Sequence, residues 1–116
     1  MSNKFGIPMD IEIEIRHRDK KCVYCHREMK KYLHKIGVPG DKATIEHFNE
    51  NGPFHWKDGL LKEDIAICCG SCNSSRGSKR IIEWFKKIYC LKRNINAQTV
   101  AEPVKEYLRR VKQVEK

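Results

Sequence analysis

No stretch of this chain approaches the roughly 20 consecutive apolar residues that cross a bilayer, so a membrane partner is not expected. The N-terminus also lacks the apolar core and small-residue cleavage site of a secretion signal. An intracellular protein is expected, not a secreted one. Acidic residues are in deficit, with 15 Asp and Glu against 24 Lys and Arg, a formal charge of +9. That surplus favours a polyanionic partner or an anionic surface, without separating DNA from RNA. Aromatics number only ten, so a metal staple would supply fixation that packing alone leaves short. The 116 residues suit one domain rather than two, and there is no low-complexity tract.

Cysteine is present in a pattern. Cys22 and Cys25 form one C-x-x-C turn and Cys69 and Cys72 a second, with 43 residues between the pairs. Each turn directs two sulfurs inward, so the four can take one tetrahedral zinc ion as a structural site. Three disulfides are the alternative for six cysteines, but paired spacing without a secretion signal favours thiolate chemistry. Cys68 competes with Cys69 as a ligand; at the end of a strand it points to the opposite face and reads as core. Cys90 reads as a small apolar packing residue.

Residues 1–9 read as a lead-in. Along residues 11–16, Ile-Glu-Ile-Glu-Ile-Arg alternates at period two and predicts a half-buried strand. A helix capped by Asp10, with Ile11 and Ile15 four apart, is the alternative. His34 precedes a glycine- and proline-marked loop and reads as solvent-facing. Ala43 to Phe48 predicts a short strand, residues 49–64 a long turn-rich connection anchored by Trp56, and Ile65 to Cys68 a second strand. Ser78 is expected to cap a helix reaching Leu91, with Ile81, Ile82, Phe85, Ile88 and Tyr89 as its apolar stripe. Val104, Tyr107, Leu108, Val111 and Val114 predict a last helix, starting at Thr99 by capping-box spacing with Glu102 or nearer Pro103.

The order Arg18-Asp19, Cys22/Cys25, Thr44-Ile45-Glu46-His47 and Ile65 through Gly77 resembles the HNH (His-Me finger) endonucleases of the four-cysteine zinc type, across residues 16–85. The resemblance implies a small α+β fold: a beta-beta-alpha metal nuclease core stapled by the four-cysteine zinc site, with additional N-terminal and C-terminal helices. It favours a helix over residues 10–18, against the period-two reading. It also implies roles. His47 looks like the general base, suited by an imidazole pKa near 6.5. Glu46, where the family usually has Asp, and Asn73 look like ligands to a catalytic Mg²⁺ or Mn²⁺, which would stabilise developing phosphate charge. Asp64 stands where the family has Asn supporting the catalytic loop, and as a carboxylate it accepts but does not donate. Arg76 looks like a phosphate clamp, with Lys79, Arg80 and Lys87 as further DNA contacts.

The expected division is a lead-in over 1–9, a zinc-stapled nuclease domain over 10–93 and a helical extension over 94–116. The leading functional expectation is metal-dependent hydrolysis of DNA phosphodiesters, leaving a 5′ phosphate and 3′ hydroxyl, with double-stranded DNA as partner. The departures at Glu46 and Asp64 motivate an alternative, a catalytically inactive zinc-stapled nucleic-acid-binding module. A third class is a metal-dependent interaction domain whose late helices contact protein, and a homodimer or a partner protein stays open.

Overall fold

The protein is described from a computed structural model, in which residues 5–29, 42–49 and 52–114 are defined. The first element is a helix, α1 (Met9–Arg18). Its charges suit the helix dipole, with Asp10 and Glu12 in the first turn and Arg16, His17 and Arg18 in the last. Glu12 pairs with Arg16 one turn on at 2.8 Å. The period-two strand reading of this stretch is therefore corrected. Ile15 is buried, Ile11 packs beside it, and Ile13 is exposed. His34 and the loop after it lie outside the described residues.

Two antiparallel strands, β1 (Ala43–His47) and β2 (Ile65–Cys69), form the centre, with Ile45 opposite Ile67 and Glu46 opposite Ala66. Side-chain alternation gives this ribbon two faces. Ala43, Ile45, Ile65 and Ile67 pack with Phe5, Ile7, Ile15 and Leu60 in one core cluster. Ala66, Cys68 and Phe48 pack with Trp84, Ile95 and Val104 in the other. An isolated two-stranded ribbon is marginal in water, so burial on both faces is what stabilises it.

Both outer edges of the ribbon are covered. On β2, the Ile67 amide donates to Asp19 Oδ2 at 3.0 Å, and Arg18 donates to Ile65 O at 3.1 Å. On β1, Asn73 donates to Ile45 O at 3.2 Å and Arg76 to His47 O at 2.7 Å. Side chains thus take the backbone groups that would otherwise pair with another chain.

The connection between the strands holds two short 3₁₀ turns, Trp56–Asp58 and Lys62–Asp64. Trp56 packs against the α1-side cluster, and its amide donates to Phe5 O at 2.7 Å. Gly6 lies at φ +67°, and any side chain there would collide with the His55 ring.

Helix α2 (Gly70–Arg76) follows β2 directly. The single helix expected from Ser78 to Leu91 is in fact two, α3 (Ile81–Phe85) and α4 (Ile88–Arg93), separated at Lys87 with ψ 156°. Arg80 rather than Ser78 holds the N-cap position of α3, and Ile82 and Ile88 of the expected stripe are exposed. On one straight helix, residues 84 and 89 lie about 140° apart around the axis. The break brings Tyr89 back to stack on Trp84, ring centroids 5.9 Å apart, and buries Cys90.

The last helix is α5 (Glu102–Val114), with Pro103 in its first turn. Thr99 does not form the capping box, because its hydroxyl accepts from the Asn96 amide at 2.9 Å and donates to Asn94 O at 2.7 Å. Among the described residues, no helix is long and apolar enough to cross a membrane.

Candidate functional site

The first cysteine knuckle is a backbone turn. The His26 amide donates to Cys22 O at 2.9 Å, the Cys22 amide to Arg27 O at 3.0 Å, and His26 takes the left-handed conformation at φ 63°. The second knuckle uses the junction of β2 and α2, where the Cys72 amide donates to Cys69 Sγ at 3.4 Å. The Val23 amide donates to Ile67 O at 3.3 Å, which lays the first knuckle alongside β2 and brings the two together.

As a result the Sγ atoms of Cys22, Cys25, Cys69 and Cys72 all lie within 4.8 Å of one another, and Cys25 and Cys69 are 3.8 Å apart. A tetrahedral ion with metal–sulfur bonds of about 2.3 Å needs sulfur–sulfur edges of about 3.8 Å. Four cysteines converging at that spacing form a four-thiolate metal-binding site and fit a structural Zn²⁺. Their protons compete: hydrogen bonds from Cys22, Cys69 and Cys72 hold Cys25 far below the usual thiol range, while hydrogen bonding to Cys25 and Cys69 drives Cys22 far above it. Cys69 is lowered to about 7, first by its hydrogen bond with Cys22. A divalent cation removes this competition by stabilising every thiolate at once. Cys68 and Cys90 are buried in the core outside this group, as expected from the sequence.

The residues assigned by resemblance to catalysis are distributed differently. Glu46 is buried, and its Oε2 accepts from Tyr24 Oη at 2.7 Å and from Arg76 Nη1 at 3.0 Å. Burial raises the Glu46 pKa against the opposing pull of Arg76 and Tyr24. Arg76 is 1% exposed. Besides Glu46 it donates to His47 O at 2.7 Å, Phe48 O at 2.7 Å and Lys79 O at 2.9 Å. The residue expected as a phosphate clamp is enclosed here, and its Nε, Nη1 and Nη2 all donate to protein acceptors. In the same arrangement the Glu46 carboxylate faces the interior, with its Oε2 shared by Tyr24 and Arg76.

His47 follows Glu46 on β1 and lies on the other face of the ribbon, near Phe5 and Phe54 at ring-centroid distances of 5.5 and 4.8 Å. Its Nδ1 lies 3.1 Å from Asn49 O, an acceptor, so Nδ1 carries the proton and Nε2 is the acceptor of the neutral ring. Asn73, half-buried, donates to Thr44 Oγ1 at 2.9 Å and to Ile45 O. Asp64 accepts from Arg110 Nη2 on α5 at 3.0 Å, while its backbone oxygen accepts from the Phe48 amide at 2.8 Å. Lys79, Arg80 and Lys87 are exposed.

No family model matches the chain, and comparison with curated proteins and with solved structures finds no match. What stands is structural. The protein is a small α+β fold with a beta-beta-alpha core, a four-cysteine metal cluster beside it and extra helices at both ends.

Several residues that shape these sites carried no sequence signal. Tyr24, inside the first C-x-x-C turn, reaches Glu46 only because that turn packs on the ribbon. Asn49 Oδ1 is buried with no hydrogen-bond partner among the described residues, although its amide nitrogen donates to Pro53 O at 2.8 Å. Tyr89 reaches the sulfur cluster only through the unexpected break before α4.

Proposed function

We propose that the protein is a zinc-stapled nucleic-acid-binding module, built on a nuclease-like frame, with double-stranded DNA as its partner. The observation that carries this reading is the buried Glu46–Arg76 pair at 3.0 Å. It takes the candidate catalytic carboxylate and the candidate clamp out of a solvent-facing site and uses them to hold α2 against β1. The charge of +9 and the exposed Lys79 and Lys87 supply attraction to phosphates without chemistry.

A second reading, a metal-dependent DNA endonuclease, is favoured by His47. A neutral imidazole with Nδ1 fixed on the Asn49 carbonyl offers Nε2 to take a proton from water. In that reading Glu46 and Asn73 would hold Mg²⁺ or Mn²⁺, which supplies charge stabilisation at the phosphate. Glu46 would first have to exchange Arg76 for the ion.

The test incubates the purified, zinc-loaded protein with supercoiled DNA and Mg²⁺ or Mn²⁺, beside His47→Ala. The proposed module binds in a salt-dependent manner and leaves the DNA uncut. Cleavage that disappears in His47→Ala would replace this reading with the nuclease. Absence of DNA affinity in both proteins would overturn both readings and turn attention to protein contacts by the late helices.

A further inference from the structure

The rim of the sulfur cluster holds one hydroxyl group with a determinate proton. Tyr89 Oη donates to Cys72 Sγ at 3.3 Å and lies 2.8 Å from Ser71 Oγ. A phenol has a single proton. Since Tyr89 gives it to sulfur, Ser71 must be the donor in the second bond. The result is a directed chain, Ser71 to Tyr89 to Cys72, in which each hydrogen bond polarises the next.

The ring is fixed from its sides. Trp84 stacks on it, and the Arg93 guanidinium lies over it with the central carbon 3.7 Å from the ring centroid. Arg93 also donates to Tyr89 O at 3.1 Å, so it is held where it stands. A cation over a phenol draws electron density from the ring and makes its hydroxyl a stronger donor. Four thiolates around one divalent ion leave net negative charge on sulfur, and a donor aimed at one of them spreads that charge.

We infer that Tyr89, oriented by Ser71 and Arg93, is a positioning residue that tunes the Cys72 thiolate and thereby the affinity and electronic character of the four-cysteine metal centre. The inference rests on the metal-binding reading of the four cysteines. It couples α4 to the site: α4 carries Tyr89, Cys90 and Arg93, so a ligand of the metal on α2 is hydrogen-bonded to an element distant from either knuckle in sequence. Cys72 is the ligand so engaged, whereas Cys69 receives a backbone amide.

Cobalt is the probe, because thiolate-to-cobalt charge-transfer bands report the electron density on sulfur directly. Wild-type protein, Tyr89→Phe and Ser71→Ala are titrated with Co²⁺ in competition with a chelator. The wild type takes one ion per chain. Tyr89→Phe keeps that stoichiometry, shifts the band to longer wavelength because the sulfur has lost its donor, and loses about tenfold in affinity. Ser71→Ala shifts the band in the same direction by less. An unchanged band and affinity in Tyr89→Phe overturns the inference while leaving the metal site intact. If Tyr89→Phe does not fold, Ser71→Ala, which preserves the ring and its stacking, decides by the same two readouts. A wild type that binds no cobalt removes the metal reading itself, an outcome visible before any variant is compared.

Discussion

Four cysteine sulfurs meet within 4.8 Å at one end of the β ribbon, whereas Glu46, His47 and Asn73 turn to three different neighbours. The contrast follows from what each side chain can do without an ion. Thiols are weak hydrogen-bonding groups, so packing four of them together satisfies little, and a metal accounts for their convergence. A carboxylate is a strong acceptor, and once buried it requires partners, which Arg76 and Tyr24 supply. A motif can therefore carry both residue sets while the fold gathers only the cysteines of the two into one cluster.

The largest expected effect tests the sulfur side. Cys22→Ser and Cys72→Ser should each lose bound zinc and the fold together. Structural zinc contributes about 10–16 kcal/mol, comparable to or above the roughly 5–15 kcal/mol that stabilises a typical domain. Metal content by mass analysis and far-ultraviolet circular dichroism read the two losses. Either variant folding with a full complement of metal would break the comparison. Cys90→Ala, outside the cluster, should keep its metal.

Next comes the interior pair. Arg76→Ala leaves the Glu46 carboxylate buried beside an empty space and should destabilise the metal-loaded protein by about 3–5 kcal/mol in thermal or urea denaturation. A phosphate clamp would behave in the opposite way, keeping its melting temperature and losing DNA affinity. The same denaturation series thus separates the scaffold role from the role expected by resemblance.

How much of this was legible in the sequence depends on whether a property belongs to spacing or to direction. The cysteine spacing identified the four ligands, and the short runs at 43–48 and 65–68 located both strands to within a residue. The helix at α1 competed with a period-two pattern; the resemblance favoured the helix, and the charge order from Asp10 to Arg18 suits it. The break between α3 and α4 has no glycine or proline to announce it; it is set by the fit of Trp84 and Tyr89 around the second core cluster. The inward turn of Glu46 had a signal that identity alone concealed. Adjacent residues on a strand face opposite sides, so Glu46 and His47 could not both point into one cleft from a regular β1.

A smaller effect tests Asp64. Its partner Arg110 belongs to α5, and their side chains are 13% and 38% exposed. Arg110→Ala should cost about 1 kcal/mol, and Asp64→Asn, which keeps an acceptor, less. A double-mutant cycle measures the coupling. Zero coupling would mean that α5 is held without this ion pair, by Val104, Tyr107 and Leu108 packing and the Arg110 bond to Glu63 O. A measurable coupling would tie the carboxylate at this position to the C-terminal helix, a physical reason for its departure from the amide expected by resemblance.

The smallest effect on stability falls on the exposed cations. Lys79 and Lys87 are solvent-facing, and replacing both by alanine should change stability by no more than about 0.5 kcal/mol. DNA affinity should fall, and the slope of log affinity against log salt should shrink by about 1 for each phosphate contact removed. Fluorescence anisotropy with a labelled duplex across a salt series reads both. An unchanged slope would remove this face from the proposed interface. The comparison with Arg76 is then sharpest, because Arg76 Nε donates to Lys79 O at 2.9 Å. The buried cation holds the backbone of an exposed one. Arg76→Ala should therefore weaken DNA binding only in step with its loss of structure, while the lysine variant weakens binding with the structure intact.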